Sequence, residues 1–207
     1  MPERRQQSVL HGHVERRRVL EACCGLALCA PLVARGDETD EASAAPQEGD
    51  ALVFAYGERA GQIVAPADVA LGAKQLLAYP MHVATRRVRD GTRLNQLILV
   101  RLPADKLSEE TRARAADGVV AYSGVCTHTG CDVTDWYGDV QRFKCPCHES
   151  EFDPADSARV VGGPAPLPLA ALPLKIVDGA LVVAAGFEGR VGFQAPGLDP
   201  FGAAPPL

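Results

Sequence analysis

Six residues in two short stretches have the types and spacing to do chemistry. Cys126, His128 and Cys131 lie in C-T-H-T-G-C at Cys126–Cys131, and Cys145, Cys147 and His148 lie in C-P-C-H-E-S at Cys145–Ser150. Each stretch offers one thiolate, one imidazole and an extra cysteine. So many polar, titratable groups are costly to satisfy as core packing, and they read as a metal site.

Cys126 and His128 are two positions apart and Cys145 and His148 three, so each stretch brings one soft sulfur and one nitrogen to a shared point. Two Cys and two His could hold one Zn²⁺ tetrahedrally, but zinc sites usually keep like ligands paired, as C-x-x-C followed by H-x-x-x-H. Mixed pairs suit a 2Fe-2S cluster in which both cysteines take one iron and both histidines the other. A structural zinc module remains the non-redox alternative. A c-type haem is excluded, because C-P-C-H has one spacer residue where C-x-x-C-H has two.

The rest of the chain must position these groups. Its 207 residues, 47% hydrophobic and 23% charged, suit one soluble domain with tails. A net charge of −5 argues against a nucleic-acid binder, which needs a basic stripe to neutralise phosphate. Residues 1–35 read as an export signal or N-terminal anchor. Arg4, Arg5 and Arg16–Arg18 precede an apolar run, Ala22–Ala34, that is short for a membrane span and interrupted by Pro31. The string E-R-R-R-V-L at Glu15–Leu20 is similar to a twin-arginine signal, and Ala42-Ser43-Ala44 offers a cleavage site. Cys23, Cys24 and Cys29 read as small apolar residues of that segment.

Residues 36–50 are poor in bulky apolar side chains and read as a flexible linker. The domain then occupies 51–185. Ala51–Tyr56, Gln75–Met81, Asn95–Leu102, Gly118–Ser123 and Ala158–Val161 have strand composition, and Leu174–Val177 and Ala180–Ala184 flank the hairpin turn Asp178-Gly179. Ser108 can cap a short helix reaching Ala116. The fold class is all-β with one short helical insertion, followed by a Gly- and Pro-rich C-terminal tail, 186–207.

The two stretches resemble the Rieske iron–sulfur proteins, of the disulfide-containing type found in cytochrome bc complexes; the resemblance runs from Gly118 to Ala184. It implies an antiparallel β-sandwich with a cluster-binding subdomain and one 2Fe-2S cluster per chain. Cys126 and Cys145 would ligate one iron, His128 and His148 the other. Cys131 and Cys147 would form a disulfide joining the loops, Ser150 would bond a bridging sulfide, and Gly162–Pro166 would be a proline loop covering the cluster. Two neutral imidazoles in place of thiolates raise the potential to roughly −150 to +300 mV. The histidine nitrogens not bound to iron would reach the surface, couple electron uptake to proton uptake and form the docking tip.

Three residues depart from that pattern. Phe152 stands where high-potential members have tyrosine, removing a hydrogen-bond donor and lowering the potential. Thr129 replaces a common leucine and makes the tip less apolar. Glu149 replaces a usual glycine and adds negative charge, which favours the oxidised state.

The function these features imply is single-electron transfer from a quinol or dehydrogenase partner to a cytochrome-type acceptor. The chain would act as a redox subunit of a larger, quinol–cytochrome c reductase-like oxidoreductase, exported to the periplasmic side of the cytoplasmic membrane. The alternative is the small Rieske subunit of a periplasmic molybdenum-type oxidase or dehydrogenase. A ring-hydroxylating oxygenase is disfavoured, since it needs a second iron site and no His follows His148.

Among the remaining candidates, Arg86, Arg87, Arg89 and Arg93 read as a solvated hairpin edge, with docking of an acidic partner as the rival. Trp136 and Tyr137 read as packing under the loops, His82 as a histidine with no acidic partner nearby, and Asp153 and Asp156 as turn formers around Pro154.

Overall fold

The computed structural model describes residues 38–193. The expected export signal, its apolar run and the end of the expected C-terminal tail lie outside the described residues. Among the described residues, no helix is long and apolar enough to cross a membrane.

The fold is mostly β and its strands pair antiparallel. A large sheet runs in the order β10 (Ala171–Leu172), β5 (Val119–Ser123), β4 (Leu97–Arg101), β2 (Leu76–His82), β1 (Ala51–Phe54), β12 (Ala180–Val183), β11 (Leu174–Val177), with β3 (Arg87–Val88) beside β2. A smaller sheet orders β6 (Asp135–Tyr137), β7 (Arg142–Lys144), β8 (Glu151–Asp153) and β9 (Arg159–Gly162) consecutively.

The unbroken apolar run of β4 has a physical reason. Leu97 and Leu99 face one core with Leu52, Val64, Val119 and Leu181, while Ile98 and Val100 face another with Tyr122, Phe143 and Phe152. β4 and its neighbour β5 are therefore covered on both sides, which a period-two alternation of polar and apolar residues would not allow. Each such Leu, Ile or Val contributes about 1.5–3 kcal/mol of burial. The second core joins the two sheets. The Tyr122 hydroxyl donates to the Pro154 carbonyl at 2.8 Å, and its ring meets Phe143 edge-on at 6.1 Å between centroids.

Local chemistry sets the connections. Asp178 and Gly179 both have positive φ (50° and 79°), the two-residue turn that matches the twist of a hairpin between β11 and β12. The helical insertion is α2 (Glu109–Arg114), two residues shorter than its sequence suggests. Ser108 Oγ accepts from the Thr111 N–H at 3.2 Å to cap it, and the Ser108 N–H bonds the Ala155 carbonyl in the β8–β9 turn. In that turn the Asp153 side chain accepts from the Ala155 N–H at 3.1 Å.

Four expectations need correction. The expected linker, 36–50, is not simply one over its described residues, 38–50. A helix, α1 (Glu38–Ser43), starts the described chain, Ala42 is buried, and Asp50, 1% exposed, pairs with Arg89 through Nε–Oδ2 (2.6 Å) and Nη2–Oδ1 (3.2 Å). Apolar content is low there because the segment is held by polar contacts to a buried guanidinium, which composition does not register. Arg89 accordingly leaves the solvated hairpin edge, being 2% exposed. His82 does have an acidic partner, since Glu41 Oε1 of α1 lies 2.8 Å from its Nδ1.

The tail also begins later than Gly186. The Glu188 and Ala171 backbones exchange hydrogen bonds at 2.8 and 2.9 Å, Glu188 pairs with Arg114, and Val191 is 3% exposed. Gly and Pro content signals irregular backbone, not solvent exposure, and one buried valine with one ion pair is enough to dock this stretch.

Candidate metal centre

Loop 1 leaves β5 and runs to β6; loop 2 joins β7 to β8. Both are closed by the same two hydrogen bonds. In loop 1 the Cys126 N–H donates to the Cys131 carbonyl (2.8 Å) and the Gly130 N–H returns to the Cys126 carbonyl (3.0 Å). In loop 2 the Cys145 N–H donates to the Ser150 carbonyl (2.9 Å) and the Glu149 N–H returns to the Cys145 carbonyl (3.0 Å). Each turn needs a positive φ at its fifth residue, supplied by Gly130 (80°) and Glu149 (61°). The structure therefore builds two equivalent knuckles from sequences that share only their cysteine and histidine types.

The knuckles bring the ligand candidates together. Cys126 and Cys145 lie outside the disulfide and are 1% and 2% exposed. Burial pushes the Cys145 thiol up, and the Cys147 and His148 backbone N–H groups oppose this by favouring a thiolate. The His128 and His148 rings lie 4.6 Å apart, nearly perpendicular at 89°. His128 Nδ1 is buried without a hydrogen-bond partner, which is costly for a nitrogen with nothing to bind. Two buried thiols plus an orphaned inward nitrogen fit a metal cluster that takes two sulfur and two imidazole ligands.

The surround is built as firmly. Cys131 and Cys147 are joined in a disulfide that ties the knuckles together. The proline loop is held toward its C-terminal end at two points: the Ala165 N–H donates to Ser150 Oγ (3.1 Å), and Thr127 Oγ1 donates to the Leu167 carbonyl (2.6 Å). Ser150 is fully buried, and accepting that bond leaves its own proton free to donate. Gly163, at φ 77°, is required where this loop crosses loop 2, because a Cβ would lie 2.5 Å from the Ser150 Cα.

The departing residues take definite places. Phe152 is fully buried on β8 opposite Phe143, and Thr129 is exposed at the tip, its Oγ1 3.8 Å from Cys131 Sγ. Glu149 points to solvent, where Lys144 Nζ lies 2.9 Å from its carboxylate, so a cation offsets the charge that the sequence shows alone. Lys144 also reaches the Tyr137 hydroxyl. Trp136 packs against Phe143 with centroids 5.5 Å apart, as expected; Tyr137 is 38% exposed and lies outside the packing.

Sequence reasoning missed Thr127, Lys144 and the role of Arg93. Arg93 Nη2 donates to the Gly130 carbonyl and pairs with Asp132 Oδ1 at 2.6 Å. Thr127 had a signal, a hydroxyl residue between two ligand candidates. Arg93 had none, since it reaches loop 1 from 37 residues away.

The chain is similar to known proteins over part of its length. Residues 86–173 match the Rieske [2Fe-2S] domain. The chain is 39% identical over 98 residues to a cytochrome bc1 complex Rieske iron-sulfur subunit of Streptomyces lividans, covering 46% of this chain and 58% of that protein. It is 39% identical over 113 residues to a putative respiratory nitrate reductase subunit Rieske of Haloferax mediterranei, covering 54% of this chain and 49% of that one. It thus spans less than two thirds of either relative. Among solved structures, the soluble domain of Rieske protein II from Sulfolobus acidocaldarius aligns with 49% of this chain and 66% of its own at 24% identity, with a TM-score of 0.38.

Proposed function

We propose that this chain, which carries a Rieske 2Fe-2S domain over residues 86–173, is the electron-carrying subunit of a respiratory oxidoreductase of the cytochrome bc type. One observation carries the reading: two knuckles of identical hydrogen-bonding scheme each hold a buried cysteine outside the disulfide, and their two histidine rings lie 4.6 Å apart. Cys126 and Cys145 would hold one iron, His128 and His148 the other. When bound, such a cluster takes up and releases one electron at a potential raised by its two neutral ligands.

The chain's own residues do the rest. The Cys147 and His148 N–H groups favour a thiolate at Cys145, and the Ser150 hydroxyl, which accepts from the Ala165 N–H, would donate its own proton to a bridging sulfide, stabilising added negative charge. The proline loop, clamped by Ser150 and Thr127, keeps water from the thiol side. His128 turns Nδ1 inward, leaving Nε2 as the atom that holds an exchangeable proton. His148 and Thr129 are exposed and form the face offered to redox partners.

The partners we assign are a quinol-oxidising membrane subunit as donor and a cytochrome-type acceptor, on the periplasmic side of the membrane. The twin-arginine-like stretch supports export, and the Cys131–Cys147 bridge suits an oxidising compartment. The match to a putative nitrate reductase Rieske subunit, together with Thr129 at the tip, favours one second reading, the small subunit of an oxidoreductase without cytochrome b.

Purified full-length protein should contain two irons and two sulfides and, when reduced, give the EPR signal of a mixed His/Cys cluster. Zinc without iron or sulfide overturns the redox reading. Isolation in a complex that lacks cytochrome b decides for the second reading.

A further inference from the structure

Each knuckle carries one ion pair on its outer side. Loop 2 has Lys144 with Glu149, and loop 1 has Arg93 with Asp132. Arg93 differs in also donating to backbone, at the Gly130 carbonyl. The Gly130 N–H is already bound to Cys126, so the backbone two residues beyond His128 is held on both its polar groups. Phe193 closes the other flank, its Cβ 3.9 Å from where a Cβ on Gly130 would stand.

The base from which Arg93 reaches is rigid. It begins a 3-10 turn, Arg93–Asn95, whose first residue follows Thr92; the Thr92 hydroxyl accepts from the Leu94 N–H at 3.3 Å. Asn95 is fully buried, and its Nδ2 donates to the Ala44 and Arg89 carbonyls at 2.8 and 3.0 Å. Arg93 meets both acceptors, a carbonyl and a carboxylate, through Nη2, whose two N–H groups are fixed in the plane of the guanidinium.

We propose that Arg93 is a positioning residue for the His128 side of the centre, fixing the turn Thr129–Cys131 through the Gly130 carbonyl and neutralising Asp132 beside it. The inference rests on the Rieske reading above. Without Arg93, Asp132 is an uncompensated carboxylate near a group that gains negative charge on reduction, so reduction becomes harder. Both side chains are about half exposed, at 52% and 49%, so salt screens the electrostatic share and leaves the geometric share untouched.

The test uses the full-length, cluster-containing protein as wild type, Arg93→Met, Arg93→Lys and the double variant Arg93→Met/Asp132→Asn. EPR-monitored redox titration at low and high ionic strength gives the potential, and the line widths report the spread of His128 geometries. In Arg93→Met the reduced-to-oxidised ratio at a fixed ambient potential should fall several-fold at low salt, recover partly at high salt, and come with broadened lines. The double variant should recover the ratio but keep the broad lines, and Arg93→Lys should keep the ratio with intermediate broadening. Wild-type ratio and line shape in Arg93→Met at both salt concentrations overturn the proposal. If Arg93→Met does not fold, Arg93→Lys decides, because unbroadened lines in that variant count against positioning by the planar guanidinium. Absence of the signal from the wild type is a failure of the Rieske reading itself and is thereby distinguished.

Discussion

Gly130 and Glu149 occupy the same place in their two knuckles: each is the fifth residue, each has positive φ, and each donates its N–H to the carbonyl of the knuckle's first cysteine. Glycine adopts that conformation freely, whereas a residue with a Cβ is strained there by roughly 1–2 kcal/mol. Glu149→Gly should therefore raise the melting temperature by about 2–4 °C per kcal/mol recovered in a chain of this size. Glu149→Gln keeps the strain and removes the charge. It should raise the potential without the thermal gain, so calorimetry and redox titration on the pair separate backbone from electrostatics.

The crossing of the proline loop over loop 2 makes Gly163 sensitive in a different way. In Gly163→Ala the new Cβ would stand 2.5 Å from Ser150 Cα and 2.7 Å from the Glu149 carbonyl oxygen, both backbone atoms that cannot swing away. The loop must lift, breaking the Ala165-to-Ser150 bond. The expected result is a loss of about 2 kcal/mol or more in stability and cluster content well below two irons per chain, read by thermal melts and iron analysis. Wild-type iron content with a wild-type melt would show that the loop is not held at this crossing.

How far the sequence reveals this site depends on the range of each interaction. The ligand types, the bridge cysteines and the Asp178-Gly179 turn are local patterns, and their spacing alone carries the chemistry. β4 is legible because an apolar run covered on both faces has no other use in a short segment. The buried Asp50–Arg89 pair joins residues 39 positions apart, and Arg93 meets Gly130 across 37, so neither leaves a mark in composition or periodicity. The knuckle equivalence was hidden for another reason: Glu149 occupies a glycine conformation, so the backbone similarity is masked by the side chain.

The Asp50–Arg89 pair gives the test of whether the segment before β1 belongs to the folded domain. Both side chains are almost fully buried, and removing one partner leaves an uncompensated charge in the interior. Arg89→Met should cost about 3–5 kcal/mol and release residues 38–50 to limited proteolysis. Replacing both residues by apolar ones should cost far less. A protease-sensitive wild-type segment at native conditions would count against the docked arrangement.

Phe152 allows the strongest prediction about tuning. Its ring is fully buried between Phe143 on β7 and Val160 on β9, two residues after Ser150. Phe152→Tyr adds one hydroxyl to this apolar layer. In cluster-free protein that hydroxyl has no assigned acceptor, and burying it unsatisfied costs about 1–3 kcal/mol. In cluster-containing protein a cysteine sulfur ligand can accept its hydrogen bond, which offsets the cost and stabilises the reduced state more than the oxidised one. The substitution should therefore lower the melting temperature of the cluster-free form, lower that of the loaded form less, and raise the potential. A potential unchanged or lowered, with equal destabilisation of both forms, would mean that the hydroxyl does not reach the sulfur and that Phe152 serves packing alone.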